Sequence, residues 1–591
     1  MYLGNDAKSN GRMHDFVVTA DESCMHNYNM SFMAGFVACV PRDLLPRAIR
    51  RSVERKFFAE VPNKGGIAEL SILALRKIEA YLSSLGYDVA VATPQGVGKV
   101  DGKVYLVSTM DPLGFGPATT TMVGLTGGKE PYNRYFFRRL VQSIRSSHPG
   151  AKVVAGGPGI WEMDVDGTQQ DAIGIDQVVA GPAEALDRDY WDGLLDGKAL
   201  ARKVETPSSR MRPDPKPIMG PSFWGMVEIS RGCGRGCQFC DPELMSGFKW
   251  IPKELILKEA ELNSKSLYVD TITLLSEDTL RYGTKPGEWR INDSIVELVR
   301  DIARFGKPLS FTHSTFASAL SNPRVTEDFA YYAGLNERNL SGFQTGIESG
   351  SPRIMQKYMI GKVKPWKPED WPEVVEQGMG IMVDNYIIPH CTLVMGLPEE
   401  TPDDTIKTTE LVSRLRSYPS LILPLFFVPL SMIKGGFFIS DMMTQEQKEL
   451  LGAAAEHTAH WAKRLPNWSG KLGMTDRLLF QAGADYSFMY LSDLTAGRDN
   501  GGAGVVLNMT KALLKASASI VFNRKQELDY WKNTRRDYSV LQKLDSKYLD
   551  GLEAPKLGNI GKPPGSGCGC GIGGMANIVA GAGKEEGKKA G

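Results

Sequence analysis

The sequence predicts an α/β protein, with a doubly wound parallel sheet in front, a partial βα barrel behind it and a mostly helical C-terminal region. Short β-rich runs alternate twice with segments of helical periodicity, and a Pro- and Ser-rich stretch, 206–223, separates the two series. The 591 residues also exceed the length of one domain, which is ~100–200 residues. We therefore expect an N-terminal extension over 1–80, a first α/β domain over 81–205, a barrel over 206–430 and a helical domain over 431–591.

Composition and charge argue against several classes of protein. Lys and Arg number 69 and Asp and Glu 68, a net charge of +1, so the charge gives no support to a nucleic-acid partner. No apolar run reaches the ~18 residues of a membrane span, and the N-terminus lacks the pattern of a signal peptide. The chain has eight cysteines, three of them clustered, which favours metal binding in a cytoplasmic protein over a disulfide framework.

The first α/β series places glycine-rich loops at one edge of its sheet. We expect strands at 87–93, 103–109, 151–157 and 175–181, with a helix between the second and the third. In parallel sheets of this kind, ligands bind beyond the carboxyl ends of the strands. The chain supplies PQGVGK, DPLGFGP, GGPG and GPAEA there. This pattern predicts a ligand site, or an ordinary flavodoxin-like domain with glycine turns.

The second series begins with RGCGRGCQFC, which brings Cys233, Cys237 and Cys240 into one loop. Spacings of three and two residues let one loop wrap three corners of a cubane cluster, and three ligands leave one iron open. A zinc knuckle needs a fourth Cys or His, and the loop contains no His. Glycines at 232, 234 and 236 favour a loop folded around a cluster over simply buried cysteines.

This C-x-x-x-C-x-x-C motif after the first strand of a βα series, with an aromatic residue before the last cysteine, resembles the radical S-adenosylmethionine (SAM) superfamily. The resemblance implies a catalytic 4Fe-4S cluster on the three cysteines, with SAM at the open iron. LLSEDT stands where the family holds the SAM amino group, although GGE is absent, and VMGLPEETPDD resembles the family's G-x-P-x-E-T segment. The SAM contacts implied are Phe239, Ser276, Glu277, Glu348 (at the ribose) and Ser349.

The upstream series resembles the cobalamin-binding domain that precedes the barrel in one branch of that superfamily, the class B methyltransferases. VVAGGPGIWEM and DQVVAGPAEAL match two loops of that branch, the first of which closes on the nucleotide tail of cobalamin. The D-x-H-x-x-G motif that supplies a histidine to cobalt is absent, which implies base-off cobalamin without a His ligand. The cobalamin contacts implied are Met110, Asp111, Leu113, Gly114, Phe115, Gly156, Gly157, Pro158, Gly181 and Glu184.

The family resemblance implies methylation of an unactivated sp3 carbon, by way of a 5′-deoxyadenosyl radical and methylcobalamin. The whole-chain layout resembles archaeal enzymes that methylate methyl-coenzyme M reductase, in particular at the Cα of a glutamine. The partners implied are the alpha subunit of that reductase as protein or peptide substrate, and an external one-electron reductant, with no nucleic acid and no membrane.

Four other functions stay open. The chain could be a cyclase, or a methylase of an sp2 carbon in a small natural product. A tRNA methylthiotransferase would need further cluster cysteines in the front domain, and 81–205 has none. The protein could also be a non-catalytic cobalamin carrier with a structural cluster.

Four cysteines stand outside the predicted barrel: Cys24, Cys39, Cys568 and Cys570. They could form a tetrahedral four-thiolate site for one additional Fe or Zn ion, which would join the two ends of the chain, or they could be free thiols. Cys391 lies in an apolar run and is expected to pack in the core.

Overall fold

The computed structural model describes residues 12–26, 32–198, 201–206, 214–240, 248–337, 339–430, 433, 435–462 and scattered positions from 464 to 544. All of them belong to one unit, Met1–Leu552; the second unit, Glu553–Gly591, lies outside the described residues. Within the described part of the chain, every helix is too short or too polar to traverse a bilayer.

The described residues at the front of the molecule form eight strands: β1 (His14–Ala20), β2 (Asn63–Lys64), β3 (Ile67–Ala68), β4 (Val89–Val91), β5 (Gly102–Ser108), β6 (Lys152–Gly156), β7 (Gln177–Ala180) and β8 (Lys203–Glu205). Strands β2 and β3 form an antiparallel pair. The other six form one parallel sheet in the order β4-β1-β5-β6-β7-β8. The four strands predicted for this domain are confirmed as β4 to β7.

The sheet begins earlier in the chain than the sequence predicts. Strand β1 lies within the expected extension 1–80, yet it pairs with both β4 and β5 and occupies the interior of the sheet. Its residues Phe16, Val17 and Val18 are fully buried. Both faces of the strand are covered, because Val17 packs in one apolar cluster and Phe16 and Val18 pack in two others. The centre of the strand, residues 16–18, is therefore apolar without polar alternation. The sheet therefore includes an element from well before residue 81.

The helices that accompany this sheet in the described part of the chain are α1 (Arg47–Phe57), α2 (Leu73–Ser84), α3 (Pro117–Thr126), α4 (Tyr132–Ser147), α5 (Glu162–Val165), α6 (Gln169–Ile173) and α7 (Arg188–Leu195). The helix predicted between the second and third strands is confirmed as α4. Its buried residues include Phe137, Val141 and Ile144, which recur at intervals of three or four and line one face against the sheet core.

The second half contains β9 (Met226–Glu228), β10 (Ser230–Arg231), β11 (Lys249–Trp250), β12 (Ile272–Leu275), β13 (Leu309–Phe311), β14 (Ser341–Glu348), β15 (Ile387–Met395) and β16 (Leu421–Phe426). Strands β9, β12 and β13 form one parallel sheet, and β14, β15 and β16 form another. The amide of Gln344 donates to the carbonyl oxygen of Thr312 at 2.8 Å and joins the two sheets. The result is a six-stranded partial barrel, as predicted.

The helices of this half are α8 (Lys253–Ser264), α9 (Ser294–Ala303), α10 (Phe316–Ser321), α11 (Pro323–Tyr332), α12 (Pro352–Tyr358), α13 (Ile360–Val363), α14 (Trp371–Asp384), α15 (Pro402–Arg414) and α16 (Gln445–Ala462). Helix α16 begins the expected helical domain and packs on β16 and α15. Most of the remainder of 431–591, including the glycine-rich tail, lies outside the described residues.

Contacts between the front domain and the barrel fix the position of one against the other. Lys77 on α2 and Glu259 on α8 form a buried ion pair with 2.5 Å between Nζ and Oε1. A second contact joins the last barrel strand to the front domain: the amide of Phe426 at the end of β16 donates to the hydroxyl of Thr121 on α3 at 2.8 Å. These contacts hold the carboxyl edge of the front sheet beside the first strands of the barrel.

Candidate active site at the junction of the two sheets

The three cysteines of the predicted cluster follow β10 in a loop that depends on glycine. Gly232, Gly234 and Gly236 adopt φ values of 68°, 66° and 71°, a region that residues with a Cβ rarely enter. Cys237 is buried and the other two cysteines are partly exposed. Glycine at every second position thus lets the backbone coil closely between the thiols.

The three thiols of the cysteine loop are not positioned as ligands of one shared metal ion. Among the described residues, no group of three His, Cys, Asp or Glu side chains is arranged to hold one metal ion. A cubane makes a different demand, because each thiolate ligates a different iron. Burial raises the pKa of Cys233 and raises that of Cys237 to about 11, despite the nearby Lys362 ammonium. Metal binding would therefore have to displace these protons.

A buried arginine within the loop attaches it to the barrel. The Nε of Arg235 donates to Asp278 at 3.0 Å and its Nη2 donates to Ser318 at 2.7 Å. Its Nη1 donates to the carbonyl oxygens of residues 361, 362 and 364. Arg281 donates from Nη1 to the carbonyl oxygen of Cys233 at 2.7 Å. Neither arginine was predicted as part of the site, although Arg235 stands between Cys233 and Cys237 in the sequence, and a cation between two cluster cysteines is a recognisable pattern.

Asp278 belongs to the buried hydrogen-bond network that attaches the cysteine loop to the barrel, and it does not line the cavity. It is fully buried, and it accepts hydrogen bonds from Ser314 at 2.9 Å and from Ser318 at 2.8 Å as well as from Arg235. Its neighbours in LLSEDT differ: Ser276 and Glu277 line a cavity described below. The Ser276 hydroxyl also pairs with that of Ser230 at 2.6 Å.

Glu348 occupies a strained position at the end of β14. It has a φ of 61° and follows a register irregularity that begins at Gly346; such backbone costs ~1–3 kcal/mol in a non-glycine residue. Its Oε1 accepts from Lys362 at 3.0 Å and its Oε2 from Thr392 at 3.1 Å. Burial alone would lower the pKa of Lys362, but Glu348 and Cys237 together raise it. An ammonium and a carboxylate are thus held next to the cysteine loop.

The other two predicted SAM residues are largely packed. Phe239 is partly buried against the barrel core. Ser349 is buried; its hydroxyl accepts from the amide of Ser351 at 3.1 Å and its carbonyl oxygen from Trp371 at 3.0 Å. Contact of either residue with SAM stays a prediction.

A cavity of about 450 Å³ separates the carboxyl edge of the front sheet from the start of the cysteine loop. Residues from the front domain and from the barrel share its wall. From the predicted cobalamin set these are Gly156, Gly157, Pro158, Gly181 and Glu184, and from the barrel they are Glu228, Ser230, Arg231, Gly232, Leu275, Ser276 and Glu277. Helix α2 adds Leu73, Leu75 and Ile78, apolar residues that the sequence did not associate with the site.

Two glycines of the cavity wall are required by the protein's own packing. Gly157 has a φ of 102°, and a Cβ there would lie 2.7 Å from the carbonyl oxygen of Thr109. Gly181 has a φ of 96°, and its Cβ would lie 2.5 Å from the hydroxyl of Thr206. Both loops therefore close tightly behind the cavity.

The loop after β5 carries five predicted cobalamin contacts, and none of these five residues lines the cavity. The Asp111 carboxylate accepts from the amide of Gly116 at 3.0 Å, from Asn133 at 2.5 Å and from the hydroxyl of Thr119. Two of the other four residues pack against apolar side chains: Leu113 is buried in the core and Phe115 lies near Phe437. Gly114 has a φ of 78°, and Met110 is exposed. Their contact with cobalamin stays a prediction.

The two described cysteines of the proposed extra metal site both lie near Asp111. Burial is the main cause that raises the pKa of Cys24 well above its ordinary value and that of Cys39 to about 12, and Asp111 adds to both shifts. Cys568 and Cys570 lie outside the described residues. A four-thiolate site therefore stays a prediction. Cys391 is fully buried in the barrel core, as expected.

The arrangement of strands and cysteines belongs to a known class of domain. Residues 227–412 match the family model described as Radical SAM superfamily. This part of the chain is therefore a radical SAM domain, and it contains the cysteine loop, the Asp278 network and the Glu348–Lys362 pair.

Particular relatives share smaller parts of their length. The ribosomal protein uS12 methylthiotransferase RimO of Dictyoglomus thermophilum is 23% identical over 214 residues, 35% of this chain and 43% of that protein. The uncharacterized methyltransferase PH0819 of Pyrococcus horikoshii is 24% identical over 324 residues, 50% of this chain and 64% of that protein. The chain thus spans less than two thirds of each. The structure of the radical SAM methyltransferase TsrM of Kitasatospora setae, with cobalamin and a 4Fe-4S cluster bound, aligns at a TM-score of 0.47 and 12% identity, covering 85% of this chain and 100% of that one.

Proposed function

We propose that this protein is a cobalamin-dependent radical SAM methyltransferase that methylates an unactivated sp3 carbon. The observation that carries the proposal is the cavity between the glycine loops of the front sheet and the cysteine loop. A ligand in it would touch Gly157 on one side and Ser276 on the other. The contacts that hold the front domain beside the radical SAM domain would thus place one ligand between the two.

The residues present suit the groups that such an enzyme requires. Cys233, Cys237 and Cys240 offer three thiolates for the cluster, and the mainly apolar cavity offers room for part of a cobalamin, bound base-off without a His ligand. When bound, the cluster with SAM supplies one-electron cleavage chemistry and cobalamin supplies a transferable methyl group. The protein's own residues position these groups: Arg235 and Asp278 hold the loop.

For the substrate, we propose the Cα of a glutamine in the alpha subunit of methyl-coenzyme M reductase, presented as a protein or peptide, with an external one-electron reductant. Support comes from the whole-chain layout, in which a front α/β domain precedes the barrel and a long segment follows it. The near-neutral net charge of +1 is compatible with a protein substrate.

The test is methylation of a glutamine-containing peptide from that subunit by the anaerobically purified, reconstituted protein with cobalamin. With SAM that carries a deuterated methyl group, we expect one labelled methyl on the glutamine Cα and formation of 5′-deoxyadenosine. If the Cα is deuterated instead, deuterium should move into the 5′-deoxyadenosine. Labelled product on a different atom, or no 5′-deoxyadenosine at all, would contradict the proposal, and the latter would favour a cobalamin carrier.

A methylthiotransferase is a second candidate, because RimO is among the relatives. That reaction adds sulfur together with the methyl group, so the mass of the product separates the two functions. The absence of cysteine from 81–205 favours methyl transfer alone. Incubation with a small aromatic substrate would likewise separate the sp2 methylase from the peptide methylase.

A further inference from the structure

One arginine connects the front domain to the cysteine loop at the cavity wall. Arg231, on β10, stands two residues before Cys233, and its side chain is mostly buried. Its Nε donates to Glu228 Oε1 at 2.7 Å and its Nη2 donates to Glu228 Oε2 at 3.0 Å. The same Nη2 reaches Glu184 Oε1 at 2.9 Å. Glu228 belongs to the barrel, whereas Glu184 follows β7 of the front sheet.

The third nitrogen of this guanidinium lacks an acceptor. The Nη1 of Arg231 is buried, and none of the described residues accepts a hydrogen bond from it. A buried donor without a partner is costly, so native proteins rarely leave one unless a ligand or water supplies an acceptor. Arg231, Glu184 and Glu228 all line the cavity, so the guanidinium group borders any ligand bound there, and a small rotation of the side chain toward the cavity would bring the Nη1 donor to an acceptor of that ligand.

We infer that Arg231 is a positioning residue that ties the loop of Glu184 to the cysteine loop and donates a hydrogen bond to an oxygen of the cobalamin bound between them. This inference rests on the proposed function. Cobalamin offers two kinds of acceptor oxygen, the amides around the corrin and the phosphate of the nucleotide tail. A guanidinium suits either, because it presents several donors in a fixed plane and keeps its charge at every physiological pH.

The position of Arg231 also links the two cofactor sites mechanically. Its main chain leads within two residues to Cys233, while its side chain is held by the front domain through Glu184. A cobalamin that shifts the Glu184 loop would therefore pull on the cysteine loop as well. The expected sign of this link is a change in the spectrum of the reduced cluster when cobalamin is added.

The test compares the full-length wild type with Arg231→Gln, Arg231→Lys and Glu184→Gln after anaerobic reconstitution of the cluster. Arg202→Gln is the control, because Arg202 forms an ion pair with Asp171 within the front domain and does not line the cavity. Equilibrium dialysis gives the Kd for hydroxocobalamin and for cobinamide, which lacks the nucleotide tail. Electron paramagnetic resonance of the reduced cluster, with and without cobalamin, gives the second readout.

We expect Arg231→Gln to raise the Kd for hydroxocobalamin by about 10- to 100-fold with unchanged iron content, and Arg231→Lys and Glu184→Gln to raise it by about 10-fold. Loss of affinity for hydroxocobalamin alone would assign the phosphate, and equal loss for cobinamide would assign the amides. In all three variants the cluster spectrum should respond less to cobalamin than in the wild type.

Wild-type affinity and an unchanged cluster response in these variants would overturn the inference and leave the proposed function intact. Failure of the wild type itself to bind any cobalamin would instead overturn both. If Arg231→Gln does not fold, Arg231→Lys and Glu184→Gln decide the question, because each keeps a polar group of similar size at its position.

Discussion

Replacing Asp278 with Asn tests whether the buried network behind the cysteine loop holds that loop in place. The Asp278 carboxylate is fully buried and pairs with the Arg235 guanidinium, whose Nε lies 3.0 Å from Oδ2. Asn keeps the shape but removes the charge, which leaves a buried cation without a counter-ion. Breaking a buried pair in this way costs about 3–5 kcal/mol. For a domain of the barrel's size, that corresponds to a fall in Tm of about 6–20 °C.

The assay is anaerobic thermal unfolding of the reconstituted protein, followed by circular dichroism, together with iron content per chain. Asp403→Asn is the matched control, because Asp403 pairs with Lys407 on the exposed face of α15. An exposed pair contributes at most about 1 kcal/mol, so the control should change Tm little. The reasoning is refuted if Asp278→Asn lowers Tm no more than the control does and retains the full complement of iron.

Three further predictions concern other parts of the molecule. Gly157→Ala would place a methyl group 2.7 Å from a backbone oxygen at a residue with positive φ, so the free energy of unfolding should fall by about 1–3 kcal/mol and Tm should fall with it. Gly150→Ala is the control, because Gly150 has open space around it, and equal Tm values for the two variants would contradict the prediction. Burial lowers the pKa of His457 from 6.5 to about 4. The folded state therefore has its full stability with respect to this group above pH 6.5, and up to about 3 kcal/mol of the free energy of unfolding is lost as the pH falls toward 4. In His457→Leu the dependence of Tm on pH should be shallower, and an unchanged slope would contradict this prediction. Glu348→Gln leaves the Lys362 ammonium buried without its carboxylate partner. Equilibrium dialysis should show that this variant binds SAM about 10-fold more weakly, and an unaltered Kd for SAM would contradict the prediction.

Local pattern in the sequence was sufficient for most strands and for the cysteine loop. The strands were predictable because each is a short apolar run bounded by glycine or polar residues, and the loop because its three glycines and three cysteines are adjacent. Strand β1 was missed because its pairing partners lie some 70 to 90 residues further along the chain, at Val89 and Val104. The sequence of a buried strand without polar alternation does not indicate which other strands it will pair with.

The residues that support the site depend on contacts between distant segments. Arg235 meets Asp278 across 43 positions, and Arg231 meets Glu184 across 47. Spacing along the chain contains no sign of such pairs, because both form only when the barrel closes and docks on the front sheet. The same holds for Leu73 and Ile78 of α2, whose place on the cavity wall depends on the packing of α2 against β1 and β4.

The central claim is that three cysteines of one loop hold an iron–sulfur cluster with one open iron. Iron and sulfide content of anaerobically reconstituted Cys237→Ala, measured beside Cys391→Ala, tests it most directly, since both cysteines are buried and only the first is placed in the loop. We predict about four irons per chain in the wild type and in Cys391→Ala, and a large loss in Cys237→Ala. Full iron in Cys237→Ala, or equal loss in both variants, would contradict the account.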